Sequence, residues 1–306
     1  MGGSVGVVDT AASGAILDTA RPQLLAILFD MLLQGMLTVQ VFLYYLAFPA
    51  DRMYVKSLVY TVYLLETAQI IVLMDQIYAI FVSMFLSSSD TSVVLGGNGT
   101  PLDIIGRSWI GQVIGAVVTF AVQCLYAYRI YVFGSSLDVI PVAHIPAVIG
   151  VTIILLSILQ CAAGIMLGVE AHIQGYFSKL ISRLVKTAGG LWNGAGVAWD
   201  FIIAASMTYL LYKSKQTGMK HTRRLVQKLI RLTIETGTLT VIIAIINLFT
   251  LNLPKGHATF YETFVSTVST AVLSKVYANM MLVLLNSRAY VQSREEGMEG
   301  GTVLRI

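Results

Sequence analysis

Charge is what this sequence has least of. Only 12% of its 306 residues are Asp, Glu, Lys or Arg, about half the roughly 25% of a soluble globular domain. That deficit excludes two or three soluble domains, whose surfaces would need polar residues the chain does not have. Cysteine is scarce as well. Cys124 and Cys161 are the only two, and both sit in apolar stretches, which excludes a disulfide framework and a zinc site. Residues 1–20 have no basic start and no long apolar run, so no secretory signal peptide is expected. Met1-Gly2 opens like a myristoylation site, but Gly6 stands where that motif wants Ser or Thr.

The motifs of common chemistries are missing. No P-loop, GxSxG elbow, HExxH pair, CxxC or Asp-rich magnesium motif occurs. The four histidines, His144, His172, His221 and His257, fall at the ends of apolar segments or between them. No segment has the arginine ladder of a voltage sensor, and no internal repeat points to a transporter built by duplication. Neither a cofactor nor a metal is expected. The net charge of +4 comes from basic residues beside apolar segments, so nucleic acid is not an expected partner.

What the chain does have is apolar length. Hydrophobic residues make up 56% of it and the mean hydropathy is +0.77. Seven segments, near 24–48, 57–85, 108–133, 143–169, 190–212, 229–253 and 263–287, are long enough to cross roughly 30 Å of hydrocarbon at about 1.5 Å per residue. The expectation is an all-α polytopic membrane protein. A tail over 1–23 precedes a seven-transmembrane-helix bundle over 24–290, and a short tail over 291–306 follows it. The lipid bilayer is its first partner.

Basic residues set the direction. Thirteen fall on one side, seven of them between Lys213 and Arg231, and six on the other, with Lys275 inside the seventh segment. This places the N-terminus outside, the C-terminus in the cytosol and the chain in the plasma membrane or another secretory-pathway membrane. The sequon at Asn98 falls in an outside loop and is a glycosylation candidate. Tyr44, Tyr45, Tyr126, Tyr128, Tyr131, Tyr209, Tyr212 and Tyr290 read as an inner aromatic belt, and Trp109, Trp192 and Tyr261 as an outer one. Three GxxxG pairs, Gly111/Gly115, Gly164/Gly168 and Gly190/Gly194, would let helices approach closely within the bundle.

The informative residues are charges where lipid should be. Asp30, Glu66, Asp75, Asp200, Glu235 and Lys275 all lie inside expected spans, and each costs about 2.5–3.5 kcal/mol at a helix centre. They must therefore face inward, pair or be neutral. Helical spacing gives four inward stripes: Asp30, Gln34, Thr38 and Tyr45; Glu66, Gln69, Leu73 and Gln76; Asn193, Gly196, Asp200, Ala204 and Met207; and Ala271, Lys275, Asn279 and Asn286. Asp75 points away from Glu66. Counted by helical rise, Lys275 lies roughly 18 Å below the outer end and Asp200 and Asp75 roughly 15 Å below it. Depth thus matches Lys275 to Asp200 or Asp75. Arg231 and Glu235, one turn apart, read as a structural ion pair. Lys275, Asp200, Asp75, Glu66, Asn279 and Asp30 form the candidate ligand or ion pocket, although buried pairs can also serve only to fix helix register. A lysine in the last span also raises a retinal Schiff base, but segment 108–133 has no carboxylate to serve as counter-ion.

Several stretches occur in a recognisable order. They are Leu43-Tyr-Tyr-Leu-Ala-Phe-Pro-Ala-Asp-Arg52, Val62-Tyr-Leu-Leu-Glu-Thr67, Tyr126-Ala-Tyr-Arg-Ile-Tyr131 and Met207-Thr-Tyr-Leu-Leu211. Ile234-Glu-Thr-Gly-Thr-Leu-Thr240, Lys275-Val-Tyr-Ala-Asn279 and Leu285-Asn-Ser-Arg288 follow. Together they resemble a family of multi-pass membrane proteins from mushroom-forming fungi, classed as domain of unknown function 6534. The resemblance spans roughly 20–290 and is densest over 195–290. It implies seven helices and brings no activity or substrate, but Glu66, Asp200, Glu235, Lys275 and Asn279 lie within its motifs.

Three functions compete. A receptor-like or sensory protein for a small-molecule ligand fits the seven segments, the polar core and the basic 213–228 loop as a site for a cytosolic partner. The usual signatures of G-protein-coupled receptors are missing: no acidic residue precedes Arg129, and the last span has no Asn-Pro-x-x-Tyr. A transporter or channel for protons or small solutes would use the buried acids as a path. A membrane-embedded enzyme acting on a lipid or isoprenoid would use Asp200 and Asp75 as acid and base, without any motif in support.

Overall fold

The computed structural model describes residues 5–87, 108–136, 144–174, 183–216 and 272–288, with isolated positions at Thr238 and Ile242. Every regular element among the described residues is helical. In chain order they are α1 (Val5–Ala47), α2 (Met53–Ser87), α3 (Ser108–Ser136), α4 (His144–Gln174) and α5 (Arg183–Gln216), followed by the helical segment 272–288. Helix is the one local structure that satisfies its own backbone in hydrocarbon. Among the described residues four stretches are long and apolar enough to cross a membrane: Leu24–Ala47, Met53–Tyr78, Trp109–Val132 and Ala147–Glu170. The expected span 229–253, apart from Thr238 and Ile242, lies outside the described residues. So do Asn98, Arg231, Glu235, the 213–228 loop beyond Gln216, and the tail 291–306.

The sharp connection between α1 and α2 has a local cause. Pro49 disfavours helical backbone at Phe48, so α1 closes with the Phe48 amide on Tyr44 O at 3.0 Å. The Asp51 amide bonds Phe48 O at 3.3 Å, and α2 starts from Arg52 O, which accepts from the Val55 amide at 3.0 Å.

Consecutive helices pack on one another: α1 on α2, α2 on α3, α3 on α4 and α4 on α5, with a lesser contact between α3 and α5. Segment 272–288 packs into the core, and most of its side chains are buried. Its Tyr277, Met281 and Leu285 join Leu37 and Tyr44 of α1, Val59 and Val62 of α2, Val118 and Val122 of α3, Ile153 of α4 and Ile203 of α5 in one core. The α3–α4–α5 contact is closer still. A Cβ at Gly164 would strike the Trp192 ring and come 2.8 Å from Ala116 Cβ, and one at Gly168 would lie 2.8 Å from Val113 Cγ2.

Polarity is arranged inside out. Leu28, Phe29, Leu32 and Phe42 of α1 and Val148, Val151, Leu155 and Ile158 of α4 are exposed, while Asp30, Glu66, Gln69, Gln76, Gln123, Gln160, Asp200, Lys275 and Asn279 are buried. Water would penalise so wide an apolar surface, and lipid does not. The chain is an integral membrane protein.

Some inward stripes differ from the sequence reading. In α1 the buried line runs Asp30, Leu37, Tyr44, at steps of seven, and Tyr45 is 64% exposed. A helix crossing its neighbours at a shallow angle keeps a seven-residue repeat in contact, which selects Tyr44 over Tyr45. Tyr44, Tyr126 and Trp192 accordingly belong to the core rather than to an aromatic belt, while Tyr45, Tyr128, Tyr131 and Tyr209 are exposed. Gly190 and Gly194 have nothing within 4 Å of an added Cβ, whereas Gly164 and Gly168 both stand in close contacts between helices.

Candidate functional site

The centre of the site is the Lys275 ammonium, which has no solvent exposure. Its Nζ donates to Glu66 Oε2 at 2.9 Å, to the Glu66 backbone oxygen at 2.9 Å and to Gln34 Oε1 at 2.9 Å. Those three bonds use the ammonium's three donors. Asp30 Oδ2 stands 3.5 Å from the same nitrogen as an ion pair, and neither of its oxygens makes a hydrogen bond. The orienting contacts are local. Gln34 lies one turn beyond Asp30, and its Nε2 donates to Thr67 Oγ1 at 3.0 Å. Thr67 in turn donates to Tyr63 O at 2.7 Å. Ser274, beside the lysine, donates to Gln69 Oε1 at 3.4 Å.

The pairing corrects the depth argument. Lys275 meets Glu66 and Asp30, not Asp200 or Asp75. Depth along the bundle fixes only one coordinate, and the lysine faces α1 and α2 while Asp200 lies on α5. Asp200 Oδ2 accepts from the Tyr277 hydroxyl at 3.1 Å instead, on the other face of segment 272–288. Asp75 is on the exposed side of α2. Beside Asp200 the Trp199 ring stands edge-on to Tyr126 and to Tyr277, with centroids 5.7 Å away in both pairs.

Asn279, one turn after Lys275, continues the polar contacts. Its Nδ2 donates to Lys275 O at 2.8 Å and to Leu33 O at 3.1 Å, and its Oδ1 accepts from Gln40 Nε2 at 3.2 Å. Asn286 Nδ2 donates to Gln40 O at 2.8 Å. At the end of the segment Arg288 grips Asp51 with two nitrogens, at 2.6 and 3.3 Å. Tyr44 donates to Asp51 Oδ2 at 2.9 Å, and the guanidinium lies 4.5 Å from the Phe48 ring centre. Burial disfavours the charged form of Asp51, but the bonds from Arg288 and Tyr44 and the charges of Arg288 and Lys56 prevail and hold its carboxyl below the ordinary value. A polar seam thus follows segment 272–288 from Lys275 to the α1–α2 turn.

Sequence reasoning placed Lys275, Glu66, Asp30 and Asn279 in the core and missed the partners that organise them. Gln34 was on the right stripe without a role. Gln40 is off that stripe, and Asp51 falls between the first two expected segments. The buried bond from Gln123 Nε2 to Gln160 Oε1, at 2.6 Å between α3 and α4, had the signal of a glutamine in each of two apolar helices. Among the described residues no group of three His, Cys, Asp or Glu is placed to hold a metal ion.

Residues 196–290 match the model of a family described as "Family of unknown function (DUF6534)". The match includes Asp200, Lys275, Asn279 and Arg288 and supports assignment to that family. No curated protein and no solved structure matches the chain.

Proposed function

We propose that this integral membrane protein is a receptor-like sensor of seven helices, with its N-terminus outside and its C-terminus in the cytosol, in which segment 272–288 is the responsive element. The observation that carries this reading is the polar seam. Apolar side chains such as Tyr277, Met281 and Leu285 anchor the segment in the core, but they fix its alignment less sharply than hydrogen bonds do. Here its alignment against α1 and α2 depends on Lys275, Asn279, Asn286 and Arg288, each bonded to a named polar partner. Polar contacts are directional, so a shift of the segment breaks several at once and leaves two arrangements rather than a continuum. The seam leads from a buried charge cluster to the α1–α2 turn, which suits a signal passing from the membrane interior to a cytosolic partner.

Hydrogen exchange in lipid nanodiscs tests the reading. Amides of 272–288 should exchange as one unit through a populated open state, and Arg288→Ala should raise that population without unfolding α3 and α4. Uniform protection of 272–288 in both proteins would overturn the sensory reading and leave a structural one.

A further inference from the structure

The charge cluster does not balance. Asp30 and Glu66 bring two carboxyl groups and Lys275 one ammonium, and all three side chains have no solvent exposure. Fully ionised, the group would carry one net negative charge in a low-dielectric core, where an uncompensated buried charge is penalised by several kcal/mol. The charged groups that meet in the cluster are Asp30 from α1, Glu66 from α2 and Lys275 from segment 272–288. No second cation among them supplies the missing charge.

The hydrogen-bond pattern shows the same shortage. Both Asp30 oxygens and Glu66 Oε1 are buried acceptors without a hydrogen-bond partner, because the ammonium's donors are all in use. Three acceptors lack a donor, and the cluster lacks one positive charge. A single proton supplies the charge and one of the missing donors.

We propose that the Asp30–Glu66–Lys275 cluster is a proton-binding site that holds one proton on the Asp30 carboxyl. Asp30 takes it because Glu66 keeps the short ammonium bond at 2.9 Å while Asp30 is held only by the ion pair at 3.5 Å. Neutralising Asp30 sacrifices the weaker attraction and leaves a balanced Glu66–Lys275 pair. The proton comes from water and binds one carboxylate oxygen, with no other bond changed. The site goes beyond the sensory reading, since it would exist equally in a transporter.

Infrared spectroscopy of the purified full chain in lipid nanodiscs tests it. At neutral pH the wild type should show the carbonyl band of a protonated carboxyl, moved by deuterium oxide and by aspartate labelled with heavy carbon at the carboxyl. The band should vanish in Asp30→Asn, and also in Glu66→Gln, which makes the charges one to one. Absence of the band in folded wild type would overturn the proposal. So would a band that moves with labelled glutamate alone, or one that sodium chloride removes and choline chloride does not, which would assign the site to an alkali cation. The wild-type measurements stand even if a variant fails to fold.

Discussion

Lys275 Nζ and Glu66 Oε2 lie 2.9 Å apart across 209 positions of sequence, with neither side chain exposed. Replacing the lysine would leave Asp30 and Glu66 without their cation.

The Lys275→Met protein is therefore predicted to lose about 3–5 kcal/mol of stability, the usual effect of removing one partner of a buried pair. Lys275→Met with Glu66→Gln should recover much of that loss. Unfolding curves of the two single variants and the double variant in detergent give the coupling directly. Simple addition of the two losses would sink the pairing as an energetic unit.

Acid should weaken the Asp51–Arg288 contact in a predictable direction. The folded carboxyl titrates below its unfolded counterpart. The stability it contributes is complete above the unfolded value and lost as pH falls through the folded one. Asp51→Asn should therefore flatten the acid limb of the stability profile, at a cost of up to about 1 kcal/mol for a partly exposed pair. Thermal unfolding across the acid range checks it, and an unchanged acid limb would contradict it.

Two glycines of similar sequence setting should respond oppositely. Gly164→Ala forces the Trp192 ring and Ala116 apart and is predicted to cost about 1–3 kcal/mol. Gly194→Ala meets open space and should be neutral or stabilise by roughly 0.5–1 kcal/mol, the helix preference for alanine. Thermal midpoints in one detergent compare the two, and equal midpoints would refute the close contact.

Topology has its own test. In the proposed orientation the Asn98 loop would face the secretory lumen. The chain expressed in a eukaryotic cell should carry a glycan that glycosidase removes and that Asn98→Gln prevents. No glycan, with a cysteine introduced at that loop labelled only from the cytosolic side, would reverse the orientation.

Helices were legible because hydropathy and the period of the chain depend on sequence alone. Segments 24–48, 108–133 and 143–169 lie within a few residues of Leu24–Ala47, Ser108–Ser136 and His144–Gln174. Burial of Asp30, Glu66, Asp200 and Lys275 followed from the penalty for charge in lipid. The partner of Lys275 was not legible, since counting residues gives depth but not which helices are neighbours. The choice of Tyr44 over Tyr45 depends on how α1 crosses its neighbours, which no single helix encodes. Asp51 was overlooked because a turn residue becomes half-buried only when Arg288 arrives from the far end of the chain.

The distance in sequence between these partners also sets an order in time. Asp30 and Glu66 enter the membrane with the first two helices, and the lysine that pairs with them is made much later. At about 5–20 residues per second, the 209 positions between Glu66 and Lys275 correspond to roughly 10–40 s of synthesis. During that interval the first hairpin must hold its acids protonated, keep them near the headgroups or shelter them against another protein. A ribosome that stops before Lys275 therefore leaves a nascent chain that cannot close its own core.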